Sequence, residues 1–156
     1  MTPAEISHAA ERLIAEIEKL IPACMENPED RDNSLGNVTV FIVAESGQFF
    51  GRMFGTDRPR QRGTCRIAWQ KATQVWLTNI ATGRYEELVY AKQIDPSPFG
   101  IAHPDFIGWD GGLPVRFADG TKLAVAMSGF SGDTDCGIIR RAVANIPGLA
   151  MAEAAR

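Results

Sequence analysis

Apolar residues recur at three- and four-residue steps near the start of the chain, at Ile6, Ala10, Leu13, Ile17, Leu20 and Ile21. That spacing lays one apolar stripe along a helix. Thr2 suits its cap, Pro3 the first helical position and Glu5 the third place of a capping box. The polar, turn-rich stretch "NPEDRDNSLGN" then reads as a loop. From Val38 to Glu45 the chain is β-branched and almost continuously apolar, the pattern of a buried strand. "SG" supplies a turn, and "QFFGRMF" returns as a hairpin partner.

Helical spacing resumes in "TDRPRQRGTCRIAWQKATQVWLTN", at Ile67, Ala68, Lys71, Ala72, Val75 and Trp76, with Gly63 blurring where the helix starts. A shorter helix follows in "TGRYEELVYAKQI", with Tyr85, Leu88 and Val89 on one side. "DPSPFGIAHPDFIGWDGG" is rich in proline and glycine and reads as a loop with room for one short strand. "LPVRF" and "TKLAVAMS" flank the turn "ADG" as a second hairpin, and Ile138, Ile139, Ala142, Val143 and Ile146 mark a last helix. Helix, hairpin, two helices, hairpin, helix predicts an α+β layer on an antiparallel sheet, held in a single domain over residues 1–156.

Composition narrows the function classes. A net charge of −3 argues against a general nucleic-acid-binding face, which needs a basic surplus. No run approaches the roughly 18 apolar residues of a membrane span, and the acidic N-terminal stretch does not read as a leader. Cys24, Cys65 and Cys136 are odd in number and far apart, so they form neither a disulfide framework nor a metal-binding pair. These features together predict a cytoplasmic protein with no nucleic-acid or membrane partner.

The densest candidate chemistry lies in "AMSGFSGDTDCGII". Gly132 and Gly137 have P-loop spacing, but Ile138 and Ile139 stand where that motif needs Lys followed by Ser or Thr. A calcium loop counted from Asp133 fails at Ile138 and Ala144, which replace its glycine and bidentate glutamate. The plain reading is that Asp133 or Thr134 caps the last helix; the functional one makes Asp133 or Asp135 a general acid/base. Ser128, His103 and Asp135 could be written as a triad, but no nucleophile elbow surrounds the serine. His8 and His103 are too far apart for a local zinc pair, and His103 is the better candidate for an axial metal ligand. Arg58, Arg60, Arg62 and Arg66, followed by Lys71, read as a solvated charged face or as partners for an anionic ligand. The tryptophans and phenylalanines suit a core, a subunit interface or a flat apolar pocket.

The residues Gly111-Gly112-Leu113-Pro114-Val115, the strand ending in Ser128-Gly129, Asp135 seven residues after that serine, and the helix carrying Ala142 resemble the GlcG/HbpS family of haem-binding proteins. The family's domain also forms the C-terminus of PduO-type cobalamin adenosyltransferases. "VTVFIVAESGQFFGRM" is similar to its first hairpin and "AWQKA" to its following helix. The resemblance implies a profilin-like α+β sandwich with a central antiparallel sheet flanked by helices, assembly into homo-oligomers, and a small-molecule ligand such as haem or a corrinoid. Arg62, Arg66 and Lys71 would then face its anionic groups, with Gly111, Gly112, Ser128 and Gly129 allowing a planar ligand close to the backbone. Two alternatives stand beside this: an enzyme acting on a small organic acid or ring compound, and an oligomeric scaffold without a pocket.

Overall fold

The computed structural model describes residues 1–101 and 105–152. Helix α1 (Pro3–Cys24) is capped as its sequence requires: the Thr2 hydroxyl accepts from the Glu5 backbone N–H and the Glu5 carboxylate takes the Thr2 backbone N–H. Strands β1 (Val38–Ala44) and β2 (Phe49–Phe54) form the first hairpin, and β3 (Gly112–Phe117) and β4 (Lys122–Ser128) the second. Between them lie α3 (Arg58–Thr78) and α4 (Thr82–Tyr90); α5 (Gly132–Ala144) follows β4.

Two elements go beyond the sequence pattern. The stretch read as a loop after α1 contains a short helix, α2 (Pro28–Ser34), capped by the Asn27 side chain on the Glu29 N–H at 2.9 Å. Strand β5 (Leu149–Met151) adds to the edge of the sheet, pairing antiparallel with β3. The proline-rich loop holds a single 3-10 turn, Ser97–Phe99, and no strand among its described residues.

All five strands join one antiparallel sheet in the order β2-β1-β4-β3-β5. The two-residue period of a strand then assigns each side chain to a layer. Val38, Val40, Ile42 and Ala44 of β1, with Leu123, Val125 and Met127 of β4, pack against α1 and α5. The intervening Val43, Ala124 and Ala126 face α3 and meet Ala72 and Val75. Both faces of the central strands are covered, which accounts for their almost unbroken apolar sequence. The result is the expected α+β sandwich, a central antiparallel sheet flanked by helices.

Candidate functional site

Helix α3 positions most of the site. Asp57 caps it, accepting from the Arg60 N–H at 3.2 Å, so the helix begins at Arg58 and runs through Gly63. From there Arg60, Thr64, Ile67 and Lys71 follow at steps of four, three and four residues and line one side of a cleft of about 820 Å³. Helical phase excludes Arg62 and Arg66: both are exposed and neither lines the cleft. Arg60 takes the place expected for them, with its guanidinium donating to the Asn33 carbonyl at 2.8 Å. At about 1.5 Å of rise per residue, Arg60 and Lys71 stand roughly 16 Å apart along the helix axis.

The opposite wall is the segment Gly108–Asp110, and α3 and α4 hold it. The Gln74 side chain donates to the Ile107 carbonyl at 2.9 Å and accepts from the Ile107 N–H at 2.8 Å, while Gln70 donates to the Asp105 carbonyl at 2.8 Å. Thr82 donates to the Trp109 carbonyl at 2.7 Å and accepts from the Gly112 N–H at 3.3 Å. Trp109 is thereby fixed at its backbone while its indole, on a residue 68% exposed, stands at the cleft.

The end of β4 and the start of α5 close the remaining side with Ser128, Gly129, Phe130, Ser131, Gly132 and Asp133. The helix cap expected at Asp133 or Thr134 is Ser131, whose hydroxyl accepts from the Thr134 N–H at 3.3 Å. A carboxylate completes it from another element. Asp30 of α2, buried, accepts from the Ser131 N–H at 2.9 Å and from the Thr134 hydroxyl at 2.7 Å. Asp133 is exposed on the first turn of α5, at the cleft.

Lys71 reaches inward from α3. Its ammonium donates to the Met127 carbonyl at 2.9 Å and lies 3.5 Å from Asp135 Oδ2, with both side chains almost wholly removed from water. Asp135 Oδ1 has no hydrogen-bond partner, which is costly for a buried carboxylate. Burial consequently pushes the Asp135 carboxyl up to about 7, against the opposing pull of Lys71 and the Phe130 backbone N–H. The same burial lowers the Lys71 pKa, and Asp135, Cys136 and Asp110 pull it back.

The glycines serve this pair. Gly111 has φ of +117°, and a Cβ there would stand 2.7 Å from Lys71 Nζ, 2.9 Å from the Met127 carbonyl and 3.1 Å from Asp135 Cβ. A Cβ on Gly112 would meet the Thr82 methyl at 2.6 Å and Lys71 Cβ at 3.2 Å. Gly111 and Gly112 are buried, and the room they leave is filled by Lys71, Thr82 and Asp135. Ser128 and Gly129 do line the cleft. His103 lies outside the described residues. Among those described, no cluster of three metal-ligating side chains forms, and no helix is long and apolar enough to cross a membrane.

Asp30, Gln74, Thr82 and Arg60 are the contributors that sequence reasoning missed or did not single out. For Arg60 a signal existed, since counting back from Lys71 in helical steps selects it over Arg62. For the other three none did, because their partners lie far away in sequence.

The antiparallel sandwich is shared with solved structures, three of them the following. Klebsiella pneumoniae ORFY, a DUF336 protein, has a TM-score of 0.60 at 22% identity over 86% of this chain and 85% of its own. A PduOC–haem complex has a TM-score of 0.58 at 16% identity, covering 89% of this chain and 96% of its own. HbpS has a TM-score of 0.54 at 21% identity, covering 83% of this chain and 86% of its own. No family model and no curated protein matches the sequence.

Proposed function

We propose that the chain is a small-molecule-binding protein of the GlcG/HbpS family, and that its ligand is an anionic ring compound, with a tetrapyrrole as the first candidate. The observation that carries the reading is the cleft. Its size falls within the roughly 300–1,000 Å³ of ligand sites, and it combines the Arg60 guanidinium and the carboxylates of Asp110 and Asp133 with apolar surface at Ile67, Trp109 and Phe130. A scaffold without a ligand called for no pocket. That one solved neighbour is a haem complex supports a tetrapyrrole, as does the sequence resemblance.

The lining suits the organic part of haem better than its iron. The Arg60 guanidinium suits a propionate, and Ile67, Trp109 and Phe130 supply apolar lining for a ring. No histidine, cysteine, methionine or tyrosine stands among the described residues that line the cleft, so those residues provide none of the usual protein ligands to haem iron.

Parallel titration with haemin and with iron-free protoporphyrin tests both statements. The expected outcome is saturable one-to-one binding of each with similar affinity, weakened by Arg60→Ala. Binding of haemin alone, lost in His103→Ala, would overturn binding through the organic part of haem. Absence of saturable binding by either would remove the tetrapyrrole.

A further inference from the structure

The described lysines are Lys19, Lys71, Lys92 and Lys122, and Lys71 alone among them is buried. It is also the one that lines the cleft. Its nitrogen is held by the Met127 carbonyl and by Asp135, which leaves it little freedom to swing out to water. Gly111 leaves the space in which that nitrogen sits. A structural ion pair would gain from short, complete hydrogen bonding. Here the Asp135 contact is 3.5 Å and its second oxygen is unpartnered, which leaves the carboxyl able to take and return a proton.

We propose that Lys71 is a nucleophilic amine that forms an imine with an aldehyde or ketone bound in the cleft, with Asp135 as its proton-transfer partner. This rests on the reading of the cleft as a small-molecule site, and it adds the reactive group that the ligand must carry. Arg60, on the same side of the cleft as Lys71, favours a carbonyl compound that also bears a carboxylate.

The chemistry balances without any other reactant. The neutral Nζ attacks the carbonyl carbon, forming the C–N bond while the C=O π pair moves to oxygen. That oxygen takes a proton from the Asp135 carboxyl, and the positively charged nitrogen returns one to the carboxylate. The C–O bond then breaks as the hydroxyl is protonated by Asp135 and leaves as water. Loss of the last Nζ proton to the carboxylate gives the neutral imine. The net change is amine plus carbonyl to imine plus water, with Asp135 restored. Burial favours the uncharged amine this step needs.

The test uses 4-formylbenzoate, a rigid aldehyde carrying a carboxylate, with cyanoborohydride to trap any imine, followed by peptide mapping of the intact chain. Calorimetric titration of the same probe without reductant measures binding separately. The reduced adduct is expected on Lys71 in preference to Lys19, Lys92 and Lys122, since burial that lowers an ammonium pKa raises its free-amine fraction. Benzoate should protect Lys71 and leave the surface lysines unchanged. Lys71→Met should remove that adduct, and the wild-type map decides the matter even if this variant does not fold. Saturable binding with no preferential Lys71 adduct would overturn the imine and leave the binding site standing. A Lys71 adduct without saturable binding or benzoate protection would uphold the reactive amine and count against the anion-binding cleft. Even labelling of all four lysines without binding would sink both.

Discussion

Asp135 sets the chemical character of the site because its surroundings do not suit the charge it would normally carry. A carboxylate that is buried, 3.5 Å from its cation and bare on one oxygen is stable only while Lys71 remains beside it. Asp135→Asn leaves a buried lysine without a counter-charge and should cost about 3–5 kcal/mol in denaturant unfolding. Replacing both residues by apolar side chains should cost less than the sum of the single changes. The pH dependence has a defined sign. With the folded carboxyl raised from 3.8 to about 7, the native state binds more protons than the unfolded chain across that window. Stability from this group is therefore full below about 4 and is lost as pH rises through about 7. Lys71 works in the opposite sense: its depressed pKa favours the fold above 10.5 and loses that contribution as pH falls through the folded value. The decline between about 4 and about 7 should disappear in Asp135→Asn, and an unchanged slope would show that other groups cause it.

At the scale of elements, α2 shows how tertiary need overrides a local pattern. Its seven residues contain no apolar stripe, and nothing in "NPEDRDNS" announces a helix worth keeping. Its use appears only in the fold, where Asp30 satisfies the Ser131 N–H and the Thr134 hydroxyl at the start of α5. Asp30→Ala should cost about 1 kcal/mol, since it leaves the half-buried donors of Ser131 and Thr134 unpaired, and should speed amide exchange across the first turn of α5. Exchange unchanged there would mean that Ser131 caps the helix unaided. Helix α1 and both hairpins were legible because each carries its own cap, stripe or turn. Strand β5 was not, since three residues give no alternation to read. The same distinction divides the site. Lys71, Ser128, Gly129 and Asp133, all singled out from the sequence, line the cleft, whereas Arg62 and Arg66, chosen by charge alone, do not.

At the scale of the molecule, the pairing of β1 with β4 was invisible in the sequence, because the strands are separated by the whole of α3, α4 and the proline-rich loop. That pairing places the α3 layer over the small side chains Ala124 and Ala126 and carries Lys71 to the end of β4. It also makes one helix responsible for two walls. Gln74, one turn beyond Lys71, grips Ile107 through both its amide oxygen and its amide nitrogen, so Gly108–Asp110 is tied to the helix that forms the facing side. A ligand entering this cleft meets a mould already set, and little chain entropy is left to surrender on binding. Gln74→Ala touches none of the lining, yet it should weaken haemin or 4-formylbenzoate binding by about tenfold, a loss of about 1.4 kcal/mol. Calorimetry should show that loss mainly as a less favourable entropy, the signature of a wall that must now be ordered anew each time the cleft is filled.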